Sequence, residues 1–178
     1  VHAEAEVRAA HAAVLHDLGD DPVGGGGGDG EGEVLCARDY THNIDDDSVL
    51  YNNVENFLRY LKKNNIKTSV CTNKMESLSI MLLEKLGVLN LFDYLVGGDT
   101  FRKSKPDPYP LIQICEKLNV DTNDSIMVGD SITDLKAGHA ANMPVILVDY
   151  GYTDDTSIYD HADMVINDFE QMKTLLKS

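Results

Sequence analysis

The chain has 178 residues, enough for one domain with a small appendage. Its formal net charge is −15, and this acidity argues against nucleic acid as a partner. Apolar residues make up 43% of the chain, which suffices for a hydrophobic core, yet no apolar run approaches the roughly 20 residues of a membrane span. No secretory signal opens the chain, and its three cysteines follow neither a disulfide nor a zinc spacing, so we expect a cytoplasmic protein.

The first 44 residues differ in composition from the rest. They contain no lysine, whereas lysine and asparagine are plentiful from Asp45 onward. Residues 1–18 are rich in alanine and glutamate and predict a helix, while residues 24–28 are five consecutive glycines typical of a flexible linker or artificial filler. The chain therefore divides into an atypical segment, 1–44, and a core, 45–178. The break in composition also favours a further hypothesis, that residues 1–44 do not represent the natural chain.

Helical and strand patterns alternate through the core. Helices are predicted where apolar residues recur every three or four positions, at residues 53–64, 75–86, 110–118, 132–141 and 169–176. Short apolar runs predict buried strands at residues 66–71, 95–96, 126–128, 144–148 and 164–166. This alternation predicts an α/β fold, a three-layer Rossmann-like arrangement with a parallel sheet covered by helices on both faces.

One strand of this predicted sheet ends in an acidic turn. The run Ile126-Met127-Val128 stops at Gly129, and Asp130 and Asp134 follow four positions apart. Open α/β sheets bind ligands at the carboxyl ends of their strands. Two carboxylates held close together repel one another unless a cation joins them, and hard oxygen ligands suit Mg²⁺. The alternative is a plain strand, turn and helix, with Ser131 as the helix cap and Asp134 in a favourable first-turn position.

Two further stretches favour the functional alternative. A second predicted strand ends at Thr72 and Asn73, which offer a hydroxyl and an amide. Farther along, Lys105 precedes the rigid turn Pro106-Asp107-Pro108. In this order, the three stretches resemble motifs two, three and four of the haloacid dehalogenase-like phosphatase superfamily, over residues 48–178. The segments Val96-Gly97-Gly98-Asp99 and Asp149-Tyr150-Gly151-Tyr152 resemble phosphoglycolate phosphatases more narrowly.

The resemblance implies a role for each matching residue. Asp130 and Asp134 would form one Mg²⁺ site, in which Asp130 would hold the ion and Asp134 would bind a metal-bound water or orient a neighbour. Lys105 would contact phosphoryl oxygens as a point cation, while the Thr72 hydroxyl and the Asn73 backbone N–H would bind a phosphate oxygen. The catalytic set is thus Lys105, Thr72 and Asp134. The fold implied is the haloacid dehalogenase type, with residues 1–44 as the helical remnant of a cap.

The family's nucleophile motif, Asp-x-Asp-Gly-Thr, is not recognisable. Asp45 begins a run of three aspartates but follows a poor strand, and Asp39 follows an apolar run but lacks the second aspartate, so a solvated acidic turn is favoured for both. The resemblance implies a Mg²⁺-dependent phosphomonoester hydrolase with 2-phosphoglycolate as its small phosphorylated metabolite. The alternatives are a phosphatase for another sugar phosphate or nucleotide and a non-catalytic remnant that binds phosphate and metal. Without a nucleophile, we expect this chain to hydrolyse 2-phosphoglycolate feebly or not at all.

Overall fold

The computed structural model describes residues 13–15, 50–150 and 155–176, and these residues form an α/β fold. Its strands, in chain order, are β1 (Ala13–Leu15), β2 (Thr68–Cys71), β3 (Tyr94–Val96), β4 (Ile126–Gly129), β5 (Val145–Val148) and β6 (Met164–Ile166). Its α-helices are α1 (Val54–Lys63), α2 (Glu76–Lys85), α3 (Tyr109–Leu118), α4 (Ile132–Ala140) and α5 (Glu170–Leu175). Short 3-10 helices lie at Leu89–Leu91, Thr122–Asp124 and Thr156–His161.

The six strands form one sheet in the order β3-β2-β1-β4-β5-β6, and every neighbouring pair is parallel. The strand β1 lies in the interior of the sheet, where Val14 is paired with Ser69 of β2 and with Met127 of β4. The carboxyl ends of all six strands therefore face the same edge of the sheet. This confirms the predicted parallel α/β architecture.

The predicted helix over residues 1–18 is wrong at Ala13–Leu15, because these residues form β1. Alanine favours a helix locally, but residues 12–15 read Ala-Ala-Val-Leu, and a short apolar run of this kind is equally typical of an inner parallel strand. Pairing with strands on both sides decides between the two. The sheet thus includes Ala13–Leu15 from the segment 1–44.

Apart from β1, the elements predicted by the sequence are confirmed within two residues at each end. The helix α2 ends before Gly87, whose φ of 73° is a left-handed conformation that glycine adopts without strain. The rest of the helix predicted over residues 1–18, the glycine run 24–28 and the aspartates Asp39 and Asp45 lie outside the described residues. No helix among the described parts of the chain is long and apolar enough to span a membrane.

The hydrophobic core lies on both faces of the sheet because neighbouring residues of each strand point in opposite directions. On one face, Val128 and Ile146 pack with α1 and α5, which contribute Phe57 and Met172. The opposite face is covered by α3 and α4, and its buried residues include Met127, Val145, Leu147, Leu111 and Leu135. The sheet is thus enclosed by helices on both faces.

Two valines on neighbouring strands test this packing. Val145 in β5 is fully buried, whereas Val165 in β6 is 38% exposed. Because Val145→Ala removes buried apolar atoms and leaves a cavity, we expect it to lower the free energy of unfolding by about 2 kcal/mol. The matched change Val165→Ala should cost roughly 0.5 kcal/mol or less. Urea unfolding followed by circular dichroism measures both values, and equal losses would contradict this description of the core.

Candidate active site

Polar residues follow two strands that flank β1 at the carboxyl edge of the sheet. Thr72 comes directly after β2, and Asp130 comes directly after β4. Both residues line one open cavity, together with Lys74 and with apolar side chains from α1, α2 and the strands. The fold therefore brings Thr72 and Asp130, predicted from separate sequence motifs, to the same cavity.

Asp134 organises the turn between β4 and α4. Its Oδ2 accepts hydrogen bonds from the Ser131 hydroxyl at 2.7 Å and from the backbone N–H groups of Ser131 and Asp130 at 3.2 and 3.3 Å. The Ser131 hydroxyl in turn accepts from the Asp134 backbone N–H, which completes a capping box at the start of α4. A Cβ at Gly129 would lie 2.5 Å from the Asp134 side chain, so only glycine leaves room for this turn.

Lys105 reaches this turn from a distant part of the chain. Its Nζ donates to Oδ1 of Asp134 at 2.7 Å, and the side chains of both residues are fully buried. Lys103, two positions earlier, is 58% exposed and pairs with Asp107 at the surface. Lys105 is therefore buried, whereas its neighbour Lys103 lies at the surface.

The loop of residues 72–76, which we call the anion loop, connects β2 to α2 beside Lys105. The Asn73 side chain donates to the backbone carbonyl of Lys105 at 2.9 Å. The Thr72 hydroxyl accepts from the Lys74 backbone N–H at 3.0 Å, and the hydroxyl also carries a proton that it can donate. Hydrogen bonds thus run from the anion loop to Lys105, and from Lys105 to Asp134.

A buried thiol lies close to these charges. Burial raises the pKa of Cys71 to about 11, with the positive charge of Lys105 opposing this shift and the negative charge of Asp134 adding to it. A thiolate is the reactive form of cysteine, so Cys71 is protonated and unreactive at neutral pH. The site therefore contains no cysteine nucleophile among the residues described around Lys105.

The residues of the acidic turn fit a magnesium site in part. Asp130 supplies a carboxylate that is 7% exposed at the cavity, and carboxylate oxygen is a ligand that Mg²⁺ prefers. Asp134 already accepts hydrogen bonds on both oxygens, an arrangement suited to orienting Lys105. No group of three or more His, Cys, Asp or Glu residues placed to hold a metal occurs within the ranges that the structure describes. Asp130 thus fits the metal as one ligand of a larger set.

Comparison with known proteins identifies the family of the chain. Residues 32–148, more than half of the chain, match the family model described as haloacid dehalogenase-like hydrolase. The chain belongs to the haloacid dehalogenase-like hydrolase family. It is 34% identical over 146 residues to a phosphoglycolate phosphatase of Nitrosospira multiformis, and 39% identical over 147 residues to one of Agrobacterium fabrum. Each alignment covers 81% of this chain.

The family's solved structures share the fold. A crystal structure of a predicted phosphoglycolate phosphatase from Haemophilus somnus superposes with a TM-score of 0.73 at 31% identity, over 76% of this chain and 61% of that one. A second, from Lactobacillus delbrueckii, gives a TM-score of 0.71 at 20% identity. The chain spans 64% and 63% of the length of the two curated relatives above, so it corresponds to part of such a protein.

A further candidate residue emerges only from the place of β1 in the sheet. Val14 is paired with Ser69 and Met127, and the site residues Thr72 and Asp130 each come three positions after those partners. Three positions after Val14 the sequence has Asp17. Its placement lies outside the described residues, but the signal was readable: an apolar run followed by an aspartate, as at Asp130. The helix predicted over residues 1–18 concealed it.

The buried pair of Lys105 and Asp134 makes a testable contribution to stability. Asp134→Leu removes the carboxylate that accepts from the buried Lys105 ammonium, so we expect the free energy of unfolding to fall by about 3–5 kcal/mol. Adding Lys105→Met removes the ammonium as well, so the double variant should lose less stability than the two single losses added together. Chemical denaturation of the four proteins measures the coupling.

The exposed ion pair between Arg59 and Glu55, with side chains 59% and 49% exposed, is the control for this cycle. Glu55→Ala should change the free energy of unfolding by about 0.5 kcal/mol or less, since water screens that pair. Additive losses at Lys105 and Asp134 would show that the two side chains act independently, contrary to the geometry.

Proposed function

We propose that this chain hydrolyses phosphomonoesters with the help of Mg²⁺ and that its substrate is 2-phosphoglycolate. The observation that carries the proposal is the convergence of a hydroxyl, a buried lysine and a carboxylate at one strand edge: Thr72, Lys105 and Asp130. The substrate follows from the phosphoglycolate phosphatases that the chain resembles in sequence. A small phosphorylated metabolite is thus the expected partner. The expected location of the protein is the cytoplasm.

The substrate's phosphoryl group is a dianion, and its charge must be offset before an anionic nucleophile can approach. Lys105 supplies a positive charge, and its bond to Asp134 keeps that charge in a defined position. The Thr72 hydroxyl and the Asn73 backbone N–H, both in the anion loop, would donate to a phosphoryl oxygen. These are the roles that the resemblance implies for the three residues, and the hydrogen bonds between them are compatible with acting together.

Magnesium would be held by Asp130 with at least one further ligand, and when bound it would shield the negative charge of the phosphoryl oxygens. Asp17 is the residue that we propose as this further ligand and as the nucleophile. Asp17 comes three positions after Val14, as Thr72 and Asp130 come three positions after the residues paired with Val14, and this equal spacing supports the proposal. An aspartate nucleophile would form an acyl phosphate that water then hydrolyses, dividing one difficult step into two.

The sequence after Asp17 departs from the family's nucleophile motif. Where Asp-x-Asp-Gly-Thr has its second aspartate, this chain has Gly19, followed by Asp20. A leaving alkoxide needs a proton in the transition state, and a glycine has no side chain to provide one. We therefore propose slow turnover by this chain. The same departure from the motif is also the observation that supports the alternative, a remnant that binds phosphate and Mg²⁺ without hydrolysis.

Metal binding can be measured without any catalysis. Isothermal titration with Mg²⁺ should show binding by the unchanged chain, and Asp130→Asn should weaken it because an amide oxygen carries no net charge. Asp121→Asn is a matched control, since Asp121 lies before β4 and its carboxylate accepts from the backbone N–H of Asn123 instead. Equal weakening by both substitutions would contradict the assignment of Asp130.

Activity is tested by phosphate release from 2-phosphoglycolate in the presence of Mg²⁺. We expect a low rate from the unchanged chain and none from Asp17→Asn, whereas Asp39→Asn and Asp45→Asn should leave the rate unchanged. Lys105→Ala should lower kcat/KM, because it removes about 3 kcal/mol of transition-state stabilisation, the loss expected for one preorganised electrostatic contact. Restoring the second aspartate with Gly19→Asp should raise the rate.

The outcomes separate the two functions. No phosphate release by the unchanged chain or by Gly19→Asp, with Mg²⁺ and phosphate still bound, would favour the non-catalytic remnant. A rate that survives Asp17→Asn but falls with Asp39→Asn or Asp45→Asn would move the nucleophile to that residue.

A further inference from the structure

The segment Gly97-Gly98-Asp99-Thr100, which we call the glycine loop, has no role in the chemistry described above. It follows β3 and lies directly against the anion loop. A Cβ at Gly97 would be 2.3 Å from the backbone N of Glu76, and one at Gly98 would be 2.2 Å from the carbonyl O of Asn73. Since both neighbours are backbone atoms of the anion loop, neither glycine can be replaced unless that loop moves.

Hydrogen bonds join the two loops at both ends of this contact. The Gly98 N–H donates to the Lys74 carbonyl at 2.8 Å, and the Glu76 N–H donates to Oδ1 of Asp99 at 2.7 Å. The Thr100 hydroxyl accepts from the Gly97 N–H at 2.8 Å and donates to the Glu76 carboxylate. At the start of the anion loop, the Thr72 N–H donates to the Val96 carbonyl at 3.0 Å.

The bond from Glu76 to Asp99 caps a helix from outside its own chain segment. The residue at the N-cap of α2 is Met75, whose side chain makes no capping hydrogen bond. An aspartate is a strong N-cap because its carboxylate accepts from the first N–H groups of a helix and favours the positive end of the helix dipole. Asp99 performs this task from the glycine loop, so it fixes the point where the anion loop meets α2.

We propose that Asp99 is a positioning residue for phosphate binding: by capping α2 at Glu76, it holds Thr72 and Asn73 where they meet the phosphoryl group. This inference rests on the proposed function, because it assigns the anion loop to phosphate. The carboxylate itself is exposed and bonds to the backbone of the loop, so its effect on phosphate is carried by the loop's conformation. Loss of this cap should therefore weaken phosphate binding more than loss of a comparable cap elsewhere in the chain.

The experiment measures the affinity for inorganic phosphate by isothermal titration with Mg²⁺ present, for the unchanged chain and three variants. Asp99→Ala should weaken binding about fivefold, the loss expected from a cap worth roughly 1 kcal/mol. Asp99→Asn keeps an oxygen that accepts from Glu76, so it should restore affinity to within about twofold of the unchanged chain. The control variant, Asp121→Ala, removes a similar capping hydrogen bond at the opposite edge of the sheet, where the Asp121 carboxylate accepts from the Asn123 N–H.

The Asp121→Ala control should keep phosphate affinity while lowering thermal stability about as much as Asp99→Ala. The inference is overturned if Asp99→Ala binds phosphate as the unchanged chain does, if Asp121→Ala weakens binding equally, if Asp99→Asn fails to restore it, or if the unchanged chain binds no phosphate. Hydrolysis of 2-phosphoglycolate is followed separately. A chain that binds phosphate with the expected dependence on Asp99 but releases none from 2-phosphoglycolate supports this inference and overturns the proposed phosphatase activity.

Discussion

A buried ion pair between Lys105 and Asp134 is the interaction on which the carboxyl edge of the sheet depends. Two charges taken out of water lose hydration, and this loss is offset only when they pair closely and the remaining hydrogen-bonding capacity is filled. Asp134 meets this condition by accepting the lysine on one oxygen and a hydroxyl and two backbone N–H groups on the other. The pair thereby ties the turn after β4 and the start of α4 to a lysine 29 positions earlier in the chain.

The same ion pair links structure to chemistry. An ammonium that merely lay at the surface would be mobile and screened by water, whereas a buried one is fixed and its field acts at short range. A fixed positive charge is suited to stabilising an anionic group before any bond is made or broken. Asp134 holds the Lys105 ammonium in place, and Asp130 is the carboxylate of this turn that lines the cavity.

Close backbone packing supports this edge from the other side of β1. The anion loop contacts the glycine loop with no space for a side chain at Gly97 or Gly98, and it contacts Lys105 through the Asn73 amide. Thr72 therefore lies in a loop that is held in place by hydrogen bonds to β3, to α2 and to the segment before α3. Catalytic and binding groups gain precision when the elements around them are held in this way.

The sequence by itself determined most of the architecture after residue 50. Apolar residues at every third or fourth position indicated the helices, because each helix buries one stripe of its surface. Short apolar runs indicated the five strands β2 to β6, because an inner parallel strand is buried on both faces. Thr72 and Asp130 directly follow buried strands, and such residues meet at one edge of a parallel sheet. Lys105 and Asp134 were indicated by the order of motifs that resemble the family.

Only the tertiary structure decided the rest. The run before Asp17 has helix-forming neighbours, and its identity as a strand depends on hydrogen bonds to β2 and β4, which are distant in sequence. The use of Asp134 for Lys105, and of Asp99 as a cap for α2, also depends on segments that lie 29 and 23 residues apart in the chain. Local patterns report which residues are apolar or polar, but the partner of a buried charge is set by how distant elements pack.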